Sequence, residues 1–72
     1  MMPLTDLIPG TAARITAVRS GGERAARLAA FGVVPGTAVR ILQLRPVLVI
    51  VVDGTELALD PRIGVEIRVS VR

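Results

Sequence analysis

Few residues in this chain could do chemistry, and their side chains end in oxygen or guanidinium groups. The sequence contains no His and no Cys, so it lacks the commonest general base and any thiolate nucleophile. Two pairs of carboxylates remain as candidates for acid–base catalysis: Asp53 with Glu56, and Asp60 with Glu66. Asp53-Gly54 is far more typical of a hairpin turn, and Glu66 falls on the outward phase of an alternating strand. We therefore predict no catalytic residues and no enzymatic activity.

Oxygen ligands for a metal ion are also present, but their spacing is poor. Four carboxylates could bind Fe²⁺, Mn²⁺ or Mg²⁺ through hard oxygen atoms: Asp6, Asp53, Glu56 and Asp60. They do not fall at ligand spacing on a common loop, and exposed carboxylates usually lie in solvent. We predict no metal site and no bound cofactor.

Phosphate or nucleic acid is a further possible ligand. Gly21-Gly22 precedes a predicted helix, where free backbone N–H groups can bind phosphate, but no P-loop or dinucleotide motif is present. Nine arginines against six acidic residues give a net charge of +3, and the arginines are scattered. Phe31 is the only aromatic residue, so base-stacking platforms are lacking. The composition therefore disfavours nucleic acid as a partner, and weak binding to its backbone stays open as an alternative.

The composition describes one small domain, residues 1–72, with an aliphatic core. Of its 72 residues, 51% are hydrophobic, with no Trp or Tyr. The longest apolar run, Val47–Val52, is far shorter than the roughly 20 residues that a membrane-spanning helix needs. The N-terminal residues lack the pattern of a secretory signal, and the absence of Cys fits a reducing compartment. We expect a soluble, cytoplasmic domain.

One stretch, residues 24–36, predicts a helix and its end. The run from Glu23 to Phe31 is rich in Ala and has no β-branched residue. Leu28 and Phe31 are three residues apart and so share a face. Gly32 suits the left-handed position that ends many helices, and Pro35-Gly36 prevents continuation. Ser20 and Glu23 have the spacing of a capping box at the start.

The remaining pattern predicts strands joined by short turns. A first strand precedes the helix, with a bulge near Thr16-Ala17, where the alternation breaks. A short helical turn containing Ile63 is expected after Asp60-Pro61. The predicted strands are residues 11–19, 37–44, 47–52, 55–59 and 65–71. Five short strands with one short helix between the first two indicate a mainly β protein, a small, partly open barrel.

With its helix ending at Gly32, the Pro35-Gly36 turn and the Asp53-Gly54 hairpin, the sequence resembles the FeoA family. The members of that family are small cytoplasmic companions of the bacterial ferrous-iron transporter FeoB. The resemblance covers nearly the whole chain, and its most specific part is the helix that leads into Gly32-Val33-Val34-Pro35-Gly36. The other matching positions are Leu4, Leu7, Pro9-Gly10, Ala13, Ile15, Arg27-Leu28, Phe31, Val39, Asp53-Gly54, Leu57-Ala58-Leu59, Ile67 and Val69. The resemblance implies a five-stranded SH3-like barrel and an accessory role in ferrous-iron uptake through contact with FeoB.

The chain departs from the family in two places. Many members have a longer loop where this chain has only Arg45-Pro46, and many have Ala where it has Gly64, which we expect to weaken that turn. The module also resembles the C-terminal domain of metal-dependent repressors. A lone barrel of that kind, or a nucleic-acid-associated barrel, is therefore the alternative function.

The segment Val47–Val52 is apolar on both phases of its strand, although only one face of a strand meets the core of a small barrel. The second phase can be covered by the helix, by residues 4–8, by another subunit or by a partner. We predict that Leu48, Ile50 and Val52 lie in an intermolecular contact with the transporter or a second copy. Arg24 and Arg27 on the helix are the next candidates.

Overall fold

The structure is a computed structural model, and it describes residues 1–71. Its strands are β1 (Met2–Pro3), β2 (Ala12–Val18), β3 (Ala38–Gln43), β4 (Leu48–Val52), β5 (Thr55–Leu59) and β6 (Ile67–Ser70). Its helices are a 3₁₀ helix (Leu4–Asp6), α1 (Gly22–Ala30) and α2 (Pro61–Gly64). The strands form one antiparallel sheet in the order β1-β6-β2-β3-β4-β5. The mainly β prediction is confirmed.

Each predicted strand is present, and one further strand was missed. β1 is two residues long and pairs Met2 with Val69, so it carries no periodicity that a sequence could show. β6 begins at Ile67, two residues later than predicted, and Val65 is exposed. The short helical turn predicted after Asp60 is α2.

Two of the strands, β2 and β3, contain a shift in pairing register. The bulge predicted near Thr16-Ala17 is confirmed, because the pairing of β2 with β6 shifts between Ile15 and Ala17. A second shift lies in β3, between Ile41 and Gln43. Bulges bend and twist a strand, which helps a short sheet to curl around one core.

The predicted hairpin at Asp53-Gly54 is confirmed. The φ angles are 55° at Asp53 and 78° at Gly54, and Val52 pairs with Thr55 on either side of the turn. Two consecutive positive φ angles are those of a type I′ turn, whose twist matches that of the flanking strands. The turn therefore fixes the register of β5 on β4.

The core is aliphatic, as predicted, and it contains no aromatic side chain among the described residues. Leu4 and Leu7, around the 3₁₀ helix, close one side of it, whereas Ile8 is 75% exposed. The buried residues are Leu4, Leu7, Ala13, Ile15, Leu28, Val33, Val39, Ile41, Leu48, Ile50, Val52, Ile67 and Val69.

The prediction of an intermolecular contact through one phase of β4 is wrong. Leu48, Ile50 and Val52 are fully buried in the monomer and cannot form an intermolecular contact. They are the inward phase of the strand because the register with β3 sets Ile50 beside Ile41 and Val52 beside Val39, and both of these β3 residues are buried. The opposite phase, which includes Val49 and Val51, is the one left half-exposed.

Helix α1 does not begin with the predicted capping box. Gly21 is the N-cap and makes no side-chain cap hydrogen bond. The hydroxyl of Ser20 instead donates to Glu66, which lies just before β6. A tertiary partner has therefore replaced the local one, and the hydrogen bond ties the start of α1 to the barrel.

Helix α1 ends as the sequence predicted. Gly32 has φ 93°, its N–H donates to the carbonyl of Ala29 at 2.9 Å, and the N–H of Val33 donates to that of Leu28 at 2.9 Å. This pair of hydrogen bonds is the Schellman motif. Gly36, after Pro35, also has a positive φ, and its N–H donates to the carbonyl of Ile15 at 2.7 Å.

Gly64, at the end of α2, is a close-packing position. A Cβ atom there would lie 2.5 Å from Cδ2 of Leu48 and 2.8 Å from Cγ2 of Thr5. The absent side chain lets α2 approach both the core and the 3₁₀ helix. The expectation that Gly64 weakens this turn stays a prediction. An Ala there would require the terminal methyl groups of Leu48 and Thr5 to shift.

Candidate functional site: a groove beside helix α1

A groove of about 440 Å³ runs between α1 on one side and the end of β5 with α2 on the other. We call it the α1 groove, and its lining residues are Glu23, Arg24, Arg27, Leu28, Phe31, Leu59 and Ile63. It exists because α1 rests on the barrel over a narrow contact. Leu28 is the only buried residue of the helix, so the two sides of α1 stay open.

The floor of the α1 groove is apolar. Leu28 is 4% exposed, and Leu59 and Ile63 are half-buried against the core. Phe31 shares the helix face of Leu28 as predicted, but it is 54% exposed because it lies at the C-cap, beyond the point where the helix meets the barrel. The only aromatic ring of the chain is therefore presented to solvent at the groove.

Arg24 is positioned on the groove by the barrel. Its Nη1 lies 3.3 Å from Oε1 of Glu66, which also accepts the hydrogen bond from Ser20. The pKa of Glu66 is lowered below its ordinary value. The hydrogen bond from Ser20 is the main cause, and Arg24 is a further one. Glu66 thus joins both ends of the first helical turn to the sheet.

Arg27 is held much more loosely. Its Nη2 lies 3.6 Å from Oε2 of Glu23, one helical turn earlier, and the two side chains are 75% and 83% exposed. An exposed ion pair of this kind contributes little to stability, about 0.3–0.5 kcal/mol. Arg27 is therefore free to exchange Glu23 for a carboxylate of a bound partner.

A third ion pair lies at the start of α2, at the far side of the groove. Nη2 of Arg62 is 2.7 Å from Oδ2 of Asp60, and the backbone N–H of Arg62 also donates to Asp60. Hydrogen bonds from Arg62 lower the pKa of Asp60 to about 2, and the same pair raises the pKa of Arg62. Asp60 thereby caps α2 and fixes the position of Ile63.

The groove brings together the two arginines that the sequence proposed as partner contacts, Arg24 and Arg27, with Leu28 and Phe31, which the sequence placed on one face of the helix. Sequence reasoning missed Leu59 and Ile63 as site residues. Their signal was weak: two apolar residues on either side of the Asp60-Pro61 turn. Only the packing of α1 against that turn makes them part of a site.

The lining of the α1 groove suits the binding of a partner. Within residues 1–71, no group of three or more His, Cys, Asp or Glu side chains is placed to hold a metal ion. No helix in that range is long and apolar enough to cross a membrane. An apolar floor beside arginines suits an apolar side chain that has a carboxylate nearby.

Comparison with known proteins decides the family. The family model described as the FeoA domain matches residues 2–71. The chain belongs to the FeoA family. The resemblance suggested by the sequence is thereby confirmed. No match was found among the curated proteins.

Solved structures confirm the SH3-like fold of this FeoA protein. FeoA of Stenotrophomonas maltophilia in complex with zinc is 28% identical, with a TM-score of 0.81 over 97% of this chain and 91% of that one. It is described as a prokaryotic SH3 domain protein and a possible ferrous iron transport activating factor. Iron(II) transport protein A of Clostridium thermocellum is 33% identical, with a TM-score of 0.89 over 97% of this chain and 45% of that one.

The chain is also similar to part of a longer protein. IdeR of T. acidophilum is 26% identical, with a TM-score of 0.89 over 99% of this chain and 34% of that protein. This FeoA protein therefore spans about a third of that protein.

Proposed function

We propose that this FeoA protein is a non-enzymatic accessory of ferrous-iron uptake, and that it acts by contact with the cytoplasmic part of a FeoB-type transporter. Membership of the FeoA family supports the link to iron transport. The contact surface that we propose is the α1 groove. Ferrous iron is the cargo of the transporter in this proposal, and this chain does not hold it.

The observation that carries the proposal is the exposed Phe31 next to the loosely held Arg27. An aromatic ring that is 54% exposed loses apolar contact with water when a partner covers it, which stabilises the complex. Aromatic and arginine side chains are also the residues enriched among those that dominate binding energy. Arg24, the other arginine in the groove lining, is already held by Glu66 and requires little ordering on binding.

Charge indicates the kind of segment that fits. Arg24 and Arg27 lie on the same side of the groove, one turn apart on α1, and Glu23 is the acidic residue of that lining. We infer that the transporter offers a helix or loop with an apolar side chain for the floor and a carboxylate for Arg27. Such a contact should weaken as salt concentration rises.

Binding of the purified protein to the cytoplasmic part of a FeoB-type transporter tests this proposal. Phe31→Ala and Arg27→Glu should each weaken binding at least about fivefold, a change of ~1 kcal/mol. Arg19→Glu makes the same change of charge at an exposed position outside the groove and should bind normally. Uptake of radiolabelled ferrous iron by cells that carry each variant should follow the same order.

Two outcomes would contradict the proposal. If none of the folded proteins binds the transporter, contact with it is not the function. If Arg19→Glu weakens binding as much as the two groove variants do, the contact is general electrostatic attraction and the groove is not its site.

A further inference from the structure

The outer face of the β3–β4–β5 sheet carries a second surface, separate from the α1 groove. On β4, Val49 and Val51 point away from the core and are only half-buried. Leu42, at the β3 bulge, is 41% exposed, Val47 is 39% exposed, and Ala58 on β5 is exposed. These five side chains form an apolar strip along β4, which we call the β4 strip.

Strand register places two charged residues on either side of the β4 strip. Arg40 on β3 pairs with Val51, and Val51 pairs with Glu56 on β5, so the three form one row across the sheet. Both charged side chains are exposed. Among residues 1–71 neither belongs to an ion pair; Nη1 of Arg40 donates to the carbonyl of Gly10 at 2.8 Å, and its other N–H groups remain available.

This row is complementary to itself. A twofold axis that runs along β4, just above Val51, exchanges the β3 side of the sheet with the β5 side. A second copy placed by that axis sets its Glu56 opposite Arg40 and its Arg40 opposite Glu56, while the valines of the two strips meet. A twofold axis parallel to the sheet but running across the strands would instead set Arg40 of one copy against Arg40 of the other. Charge therefore selects one of the two arrangements.

We propose that the β4 strip is the interface of a symmetric homodimer, in which two copies pack face to face along β4. Val49 and Val51 of both copies form the apolar contact. Each copy supplies one Arg40 and one Glu56 to the two ion pairs between the copies. The next row supports the same axis, since it sets Gln43 of one copy opposite the small Ala58 of the other. The α1 groove shares only β5 with the strip, and its β5 residue, Leu59, alternates with Ala58 onto the other face, so the groove stays accessible in this dimer.

The size of the strip sets the strength of association. A standard stable interface buries about 800 Å² on each partner, a large share of the 4303 Å² of surface that this chain exposes. Five partly exposed, small or medium side chains cover less than that. We therefore expect a weak dimer, with a Kd between about 10 µM and 1 mM.

Sedimentation of the full chain from about 10 µM to 1 mM tests the interface. The wild type should pass from monomer to dimer over this range. Glu56→Arg and Arg40→Glu should each weaken association about tenfold or more, because like charges then face each other twice. The double variant, Arg40→Glu with Glu56→Arg, should restore it. Arg19→Glu, with the same change of charge on an exposed residue away from the strip, should associate like the wild type.

Glu56→Arg keeps the test decisive, because Glu56 makes no side-chain hydrogen bond or ion pair within residues 1–71 that folding could lose. A wild type that stays monomeric at about 1 mM would overturn the proposal. So would single variants that associate normally, or a double variant that remains dissociated. If the strip binds only the transporter, Glu56→Arg should lose transporter binding while the wild type stays monomeric. This outcome would also overturn the proposal.

Discussion

The backbone N–H of Val33 donates to the carbonyl oxygen of Leu28 at 2.9 Å, and both side chains are buried in the core. One hydrogen bond thus ends α1 and turns the chain so that its next apolar side chain packs beneath the helix. Since Leu28 is the only buried residue of α1, this closing turn is a main support of the α1 groove.

Gly32 makes that turn possible, and its replacement should destabilise the protein. Gly32→Val puts a β-branched residue at φ 93°, and its Cβ would lie 3.3 Å from Cγ1 of Val52. We expect a loss of more than about 1 kcal/mol in the free energy of unfolding, measured with urea. Gly21→Val, at an extended φ and in open space, should cost clearly less. Equal effects at the two positions would show that the left-handed conformation of Gly32 is not required.

The contact between α2 and the core gives a second prediction. Gly64→Ala should cost about 1–3 kcal/mol, because its Cβ would overlap Cδ2 of Leu48 in a fully buried position. In a Leu48→Ala background the overlap with Leu48 is gone and only the one with Cγ2 of Thr5 remains, so the same substitution should cost less. Thermal unfolding of the two single variants and the double variant measures this coupling. Strictly additive effects would mean that Leu48 is not what excludes a side chain at Gly64.

The two phases of β4 should respond oppositely to a charge. Ile50→Arg buries an unpaired guanidinium in the core and should unfold a domain whose total stability is on the order of 5 kcal/mol. Val49→Arg, on the half-exposed outer phase, should leave a folded monomer. Dispersion of the amide proton spectrum distinguishes the two results. A folded Ile50→Arg protein would contradict the burial of this side chain.

The Asp60–Arg62 pair should make stability depend on pH in acid. The pKa of Asp60 is lowered from 3.8 to about 2 by hydrogen bonds from Arg62. A carboxyl group with a depressed pKa in the folded state stabilises it above its unfolded pKa, and this contribution is lost as pH falls toward the folded value. The difference in stability between wild type and Asp60→Asn should therefore shrink as pH falls from about 4 to about 2.

Urea unfolding at several pH values measures that difference, and carbon-detected titration of the Asp60 carboxyl group measures the pKa itself. Asn can still cap α2, so the variant isolates the charge. A difference that stays constant through this pH range would show that the Arg62 hydrogen bonds do not act on the charged form.

The sequence was sufficient for features that depend on neighbouring residues. The end of α1 at Gly32 and the Asp53-Gly54 hairpin were predicted correctly, because a positive φ is a local requirement that few residues satisfy. The bulge near Thr16 was also predicted, since a break in the two-residue alternation shows in the sequence itself. The mainly β fold followed from the sum of these local signals.

Tertiary structure decided which partner each residue finds. Ser20 had the spacing of a helix cap, but its hydroxyl donates to Glu66, 46 residues away. Both phases of β4 are apolar, so the sequence could not say which one faces the core; the register of β4 on β3, which sets Ile50 beside the buried Ile41, turned Ile50 inward and Val51 outward. Leu59 became part of the α1 groove only when α1 packed beside it. Local patterns fix the conformation of a segment, whereas a site depends on side chains that only the packing of distant segments brings together.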